Sequence, residues 1–238
     1  MTITAEHEHA TEEALILLHG IHYEKGVDDS PVIHPPWLPP VWGRFYDLIM
    51  ERWIFPGKFN GSLAEHDAFM RSQLRDFRNQ RIVEIGTGSG TASGWLDKSS
   101  SYRGIDISPA LLKIAQKKFT RRGFTDVSLY ATDAVALPFA AHAFDLCLCI
   151  LTLNFIEDEI ALFTEIGRIL DKPGTFFCCV PVPERASGSR TIRGTLRSMK
   201  QLQEALHACG LSFKPLSFAN GSLLYFTSSK REYREERS

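Results

Sequence analysis

Three glycines at alternate positions, Gly86, Gly88 and Gly90, follow the β-branched run Ile82 to Ile85, with Glu84 inside that run. A run of that composition is a buried strand, and glycines so placed let the backbone take positive φ and approach a ligand closely. The small polar residues that come next open a helix whose free N–H groups can face a bound ligand. About twenty residues beyond the first glycine stands Gly104-Ile-Asp-Ile-Ser-Pro109, a second short strand closing on the acid Asp106. Glycine loop and acid together describe a pocket for a nucleoside-bearing cofactor at the edge of a parallel sheet, with the acid on a ribose.

Spacing narrows the cofactor. A dinucleotide loop, G-x-G-x-x-G, would place its third glycine at position 91, where the chain has Thr91. A triphosphate loop needs a lysine after its last glycine, and none follows here. Nothing basic lies within the loop to meet a pyrophosphate, so the ligand carries less negative charge.

Alternating strands and helices must hold these residues. Strand 81–85 leads to a helix near 89–97, and strand 101–106 to a helix from Pro109 to about Arg122, closed by Gly123. Strands follow at Val127 to Ala131, Phe144 to Leu151 and Thr175 to Val180. Helices are read at Asp158 to Leu170 and Ser198 to Ala208, with a turn at Pro173-Gly174. Asn220-Gly221 between the runs Leu211 to Phe218 and Leu223 to Ser228 signals a hairpin, whose last strand must be antiparallel. The reading is α/β: a doubly wound, mostly parallel seven-stranded sheet with an antiparallel C-terminal hairpin strand and an N-terminal helical lid. The lid is placed at 1–78 and the core at 79–238. Within the lid, Glu12 to His19 shows a helical apolar patch. Pro31 to Pro40 carries five prolines in ten residues, so it is an extended wrap. Arg44 to Trp53 returns to helical periodicity, and Ser62 to Phe77 reads as a helix capped by Ser62 with Glu65 three residues on.

Bulk properties exclude several classes. The 238 residues are 44% hydrophobic and 23% charged with a net charge of −1, which favours neither nucleic acid nor an anionic membrane surface. No apolar stretch reaches the ~18 residues of a membrane span. Residues 1–11 carry no Lys or Arg, which argues against a secretory or mitochondrial address, so a cytoplasmic location is expected. Cys147, Cys149, Cys178, Cys179 and Cys209 form no C-x-x-C pair and read as small buried hydrophobes in a reducing compartment. His7, His9, His19 and His22 lack a ligand pattern and read as solvated or capping residues, so no metal is expected.

Four segments carry a resemblance. Val83-Glu-Ile-Gly-Thr-Gly-Ser-Gly90, Gly104-Ile-Asp-Ile-Ser-Pro-Ala-Leu-Leu112, Asp133-Ala-Val-Ala-Leu-Pro-Phe139 with Phe144 to Leu151, and Arg168-Ile-Leu-Asp-Lys-Pro-Gly-Thr175 stand in order over about residues 81–180. The chain resembles a class I S-adenosylmethionine-dependent methyltransferase, nearest the type 11 and quinone-methylase group. The resemblance implies S-adenosyl-L-methionine as cofactor, with Gly86, Thr87, Gly88 and Gly90 against its methionine part and Glu84 near its amino group. Asp106 would accept from both ribose hydroxyls, Ile107 would cover adenine, and Asp133 with the N–H of Ala134 would take the adenine edge. The alternatives are that Asp133 is only a helix cap and that Glu84 merely holds the turn. Cys149, Ile150 and Leu151 would line the region beside the sulfonium. In the segment His34 to Trp53, Tyr46 of Phe45-Tyr46-Asp47 would close on the methionine end, with Trp37 and Trp42 forming a lid over the acceptor.

The chemistry implied is in-line methyl transfer to a small, apolar or aromatic acceptor, resting on alignment and water exclusion. Relatives carry histidines after the fourth strand, where this chain has Leu153-Asn154-Phe155, so no strong general base is expected there. Asn154 could orient a substrate or cap the next turn. The missing base also leaves open a non-catalytic scaffold or partner subunit that binds the same cofactor. Neither a nucleic-acid partner nor a membrane-integral segment is expected, and the oligomeric state is not legible.

Overall fold

A computed structural model describes residues 15–33, 46–186 and 192–231. Its frame is one sheet of nine strands in the order β1-β2-β5-β4-β3-β6-β7-β9-β8. These are β1 (Leu15–Leu18), β2 (Ile21–Glu24), β3 (Arg81–Ile85), β4 (Ser101–Ile105), β5 (Val127–Ala131), β6 (Phe144–Ile150), β7 (Leu170–Pro181), β8 (Lys214–Pro215) and β9 (Leu223–Ser228). The pairs from β2 through β7 run parallel, and β1/β2, β7/β9 and β8/β9 are antiparallel. From β3 the chain first winds outward through β4 and β5, then returns to build β6 and β7 on the other side. The reversal falls beside the end of β3, where open α/β sheets bind their ligands.

Both faces of the sheet are covered, which explains the nearly continuous apolar runs of β6 and β7. On one face, Ile82, Leu148 and Ile150 pack with Met70 and Leu74 of α2 (Leu63–Leu74) and Leu112 and Phe119 of α3 (Pro109–Arg121). On the other, Val83, Ile85 and Cys149 pack with Phe163 and Ile166 of α4 (Glu159–Ile169) and Leu202 and Leu206 of α5 (Met199–Ala208). Side-chain caps start these helices: Ser62, Ser108, Asp158 and Ser198 each accept a backbone N–H three residues on. Before α2 come the short α1 (Tyr46–Ile49) and a π-helix, Met50–Phe59.

The sheet class agrees with the sequence reading, but the described residues hold nine strands in place of seven. One of them, β1, comes from the segment read as a helix over Glu12 to His19, and β2 from residues just after it. Leu15–Leu18 and Ile21–Glu24 form a hairpin that turns on His19 and Gly20, both at positive φ, 52° and 77°. In β2, Ile21 and Tyr23 are buried while His22 and Glu24 alternate outward, and four apolar residues in a row do not separate a short strand from a helical turn. His22 is no capping residue: its ring stacks on Tyr130 of β5 at 4.7 Å. The helix expected near 89–97 shrinks to a single 3-10 turn, Thr91–Gly94, where Ser93 Oγ donates back to the Gly90 carbonyl at 2.8 Å. Pro173-Gly174 lies within β7, in an irregularity where Phe144 pairs Leu170 but Leu146 pairs Thr175. Of the run Leu211 to Phe218, only Lys214–Pro215 joins the ladder with β9.

Candidate cofactor and acceptor site

The glycine loop is held by its own backbone. Gly86, Gly88 and Gly90 all have positive φ, at 76°, 55° and 78°. The N–H groups of Gly86 and Thr87 both donate to the Ile105 carbonyl, at 2.8 and 2.9 Å, locking the loop over the end of β4. A β-carbon at Gly90 would lie 2.7 Å from the Ala115 Cα on α3, so no other residue lets loop and helix approach this closely.

Asp106, the first residue after β4, turns its carboxylate onto this loop. Oδ2 accepts the Gly88 N–H and Oδ1 the Ser108 N–H, each at 2.8 Å. Burial raises its pKa and the two N–H donors oppose the rise. Each carboxylate oxygen keeps a second lone pair, so the group can still accept from a pair of ligand hydroxyls. Glu84, beneath the loop, accepts the Tyr102 hydroxyl, which also lies 3.1 Å from the Thr87 hydroxyl. Its pKa is pushed up to about 8, first by burial and then by the charge of Asp106, against the Tyr102 hydrogen bond.

Beside the loop opens a cavity of about 410 Å³, lined by Glu84, Gly86 and Gly88, by Ile150 and Leu151 at the end of β6, and by residues of the N-terminal helices. That volume falls within the range of small-molecule sites. Leu151 has φ 57°, a left-handed backbone that costs a leucine strain and tends to mark functional positions. At the rim, Asp47 of α1 accepts the Ser89 hydroxyl at 2.7 Å and the Lys118 ammonium at 2.5 Å, bridging the N-terminal helices to the loop and α3. His66 of α2 lies in the cavity wall, 1% exposed, with Nδ1 2.8 Å from the Tyr225 hydroxyl of β9. Burial depresses its pKa to about 4 against the opposing charge of Asp67.

The residues singled out in the sequence fall into groups. Glu84, Gly86, Thr87, Gly88 and Ile150 line the cavity, and Gly90 secures the loop on α3. Asp106, half-buried Ile107, exposed Asp133 and buried Ala134 follow the ends of β4 and β5, outside the cavity lining, with Asp133 Oδ1 taking the Ala134 N–H at 2.5 Å. Cys149 requires a correction. Strand alternation turns it to the opposite face from Ile150, where it is fully buried in the core under α4. Asn154 is also redirected: it is 4% exposed, its Nδ2 donates to the Arg193 carbonyl at 2.7 Å, and its carbonyl accepts the Thr195 N–H at 2.7 Å. It fastens the segment before α5 to the end of β6. Trp37, Trp42 and the side chain of Tyr46 lie outside the described residues. Sequence reading missed His66, Leu151's strain and the Asp47–Lys118 contact, although Asp47 stood in the quoted Phe45-Tyr46-Asp47 element. Among the described residues no cluster of His, Cys, Asp and Glu could hold a metal ion, and no helix is long and apolar enough to cross a membrane.

A sheet switch point carrying a glycine loop and an acid is the layout of nucleotide-type cofactor folds, and known proteins similar to this chain share it. The methyltransferase domain family matches residues 83–178. Aklanonic acid methyltransferase DauC of a Streptomyces species is 31% identical over 107 residues, covering 43% of this chain and 49% of that protein. Demethylmenaquinone methyltransferase of Lactiplantibacillus plantarum is 32% identical over 114 residues, covering 46% and 48%. The matched stretch thus spans about half the length of these relatives. Among solved structures, an S-adenosylmethionine-dependent methyltransferase from Mesorhizobium loti superposes with a TM-score of 0.59 at 18% identity, over 68% of this chain and 96% of that one. Phosphoethanolamine N-methyltransferase 2 of Haemonchus contortus, in complex with S-adenosyl-L-methionine, gives 0.62 at 16% identity, over 82% and 58%. Residues 83–178 thus match the methyltransferase domain family, and the sheet has the fold of these solved structures.

Proposed function

We propose that this chain transfers a methyl group from S-adenosylmethionine to a small acceptor with an apolar or aromatic body. The observation that carries the reading is the buried Asp106 carboxylate, aimed at the glycine loop with lone pairs to spare. In this reading Asp106 takes the two ribose hydroxyls, Ile107 covers the base, and Asp133 with the Ala134 N–H meets the adenine edge. Gly86 and Gly88 give the backbone room for the amino-acid end, near Glu84. When bound, the cofactor supplies a methyl already activated by its sulfonium. The chain contributes position and dryness: Met50, Phe55, Leu63, Ile150 and Leu151 wall the cavity with apolar surface, which favours alignment over solvation.

A small acceptor suits the cavity volume, and the net charge of −1 gives nothing for a nucleic acid to follow. Four fully buried free cysteines suit a reducing, cytoplasmic setting. The test is calorimetry with S-adenosylhomocysteine, followed by transfer of labelled methyl to pooled extract metabolites. Micromolar binding with a labelled acceptor supports the reading. Binding with no acceptor labelled favours the scaffold alternative, and no binding removes both.

A further inference from the structure

His66 is a buried polar group in the cavity wall with no part in the cofactor contacts above. Three helix-to-sheet contacts decide what it offers. Asn220, in the turn before β9, accepts the Ser62 N–H through Oδ1 at 2.7 Å and donates to the Ser62 carbonyl through Nδ2 at 2.8 Å. This reciprocal pair fixes the orientation of the amide and ties the first turn of α2 to β9. The same Nδ2 is 3.5 Å from the Tyr225 oxygen, which therefore accepts there. The Tyr225 oxygen lies 2.8 Å from His66 Nδ1, so this ring nitrogen is committed to Tyr225 in either tautomer and Nε2 is the ring's one remaining polar atom.

No described protein group bonds Nε2, and it is not among the sealed polar atoms that lack a partner, so this edge of a 1% exposed ring opens on the cavity. Around it stand Phe55 and Trp95, with ring centroids at 5.2 and 5.4 Å. We infer that His66 Nε2 is the specificity anchor of the acceptor pocket: a hydrogen-bonding ring edge that selects ligands carrying a neutral hydroxyl on an aromatic body. The inference rests on reading this cavity as the methyl-transfer site. The ionisable groups around the ring are Asp67, held by Trp95 Nε1 at 3.0 Å and by Arg71, Glu84 in the same cavity wall, and Tyr225 and Cys179 beneath. The ring stays neutral above about pH 4, so it hydrogen bonds to such a ligand without competing as a cation.

One group besides an acceptor's hydroxyl could meet this edge: the amino group of the cofactor's own tail. The experiment separates them. With protein saturated in S-adenosylhomocysteine, affinity for 1-naphthol is compared with that for 1-methoxynaphthalene, which has the same body but no donor. Wild type should prefer naphthol by about two- to tenfold, the worth of one neutral hydrogen bond. His66→Phe, which keeps ring bulk, should lose the preference. So should His66→Asn, whose amide retains a hydrogen bond to Tyr225 but reaches no further. His66→Gln places its amide oxygen near the Nε2 position and should restore part of it. A merely structural role would move both naphthalenes together. In the second arm, S-adenosylhomocysteine is compared with 5′-methylthioadenosine, which lacks the amino-acid tail, and His66→Phe should weaken neither by more than about twofold. The inference is overturned if wild type shows no naphthol preference, if His66→Phe retains it, or if His66→Phe weakens S-adenosylhomocysteine but not methylthioadenosine. Failure of wild type to bind either nucleoside would sink the cofactor reading alone, and the naphthol comparison on nucleoside-free protein would still decide the role of His66.

Discussion

Asp106→Ala is the most informative perturbation of the proposed cofactor site. The carboxylate has two calls on it: it accepts the Gly88 and Ser108 N–H groups at 2.8 Å each, and in the proposed function it accepts two ribose hydroxyls. Hydrogen bonds to a charged acceptor are worth about 1.5–3 kcal/mol each. Removing the two ligand bonds should therefore cost about 3–6 kcal/mol of binding, a hundredfold to ten-thousandfold rise in Kd. The variant also strips partners from two loop N–H groups. Water entering the small space left behind should limit that cost to about 2 kcal/mol, or about 4–8 °C in Tm for a chain of this size. Asp106→Asn keeps the shape but turns an NH₂ toward one of the two N–H donors, so it should fall between. Calorimetry with S-adenosylhomocysteine and thermal melts read the two effects separately. A Kd for Asp106→Ala within about threefold of wild type, beside the expected drop in Tm, would mean that the carboxylate only fastens the loop, and the reasoning would fail.

Other expectations follow from buried groups nearby. Glu84, with its pKa raised to about 8, holds a proton in the folded chain that the unfolded chain releases above about pH 4.5. Stability should fall as pH rises through that window, by up to about 1.4 kcal/mol per unit, and Glu84→Gln should flatten the slope in urea melts. His66 works in the opposite sense: its pKa is depressed from 6.5 to about 4, so stability is full above 6.5 and lost as pH falls toward 4. The loss should reach roughly 3 kcal/mol and be absent from His66→Phe. Gly90→Ala combines φ 78° with a β-carbon 2.7 Å from Ala115 Cα and should cost about 2 kcal/mol or more, measured as a lower urea midpoint. Asn154→Ala should lower Tm through the unpaired Arg193 carbonyl while S-adenosylhomocysteine affinity stays within about twofold.

The parts of this fold legible in sequence were those whose signals are local. Val127–Ala131 is read to the residue, because a short apolar run between turn signals has one solution inside a βα repeat. Asp106 is legible because strand, acid and Ser-Pro helix start stand in one stretch. Cys149 was misplaced although the parity was available: Glu84 pairs with Leu148 across β3 and β6, so Cys149 must point the other way. His66 was not legible, since its meaning comes from Tyr225 and Asn220, more than 150 positions away. The N-terminal hairpin was hidden for the same reason. Its β2 owes its place to a strand more than a hundred residues downstream, and four leucine and isoleucine residues alone do not announce it.

That hairpin sets a timetable for assembly. Ile21 pairs with Leu129 and Tyr23 with Ala131, so during synthesis β1 and β2 have no seat until β5 has emerged. At ribosomal rates of about 5–20 residues per second, they wait on the order of 5–20 s as an unsheltered pair with Leu17 and Leu18 bare. Synthesis speed between β2 and β5, and any chaperone that shields an exposed β-edge, should therefore govern the yield of this protein more than the strength of its finished core.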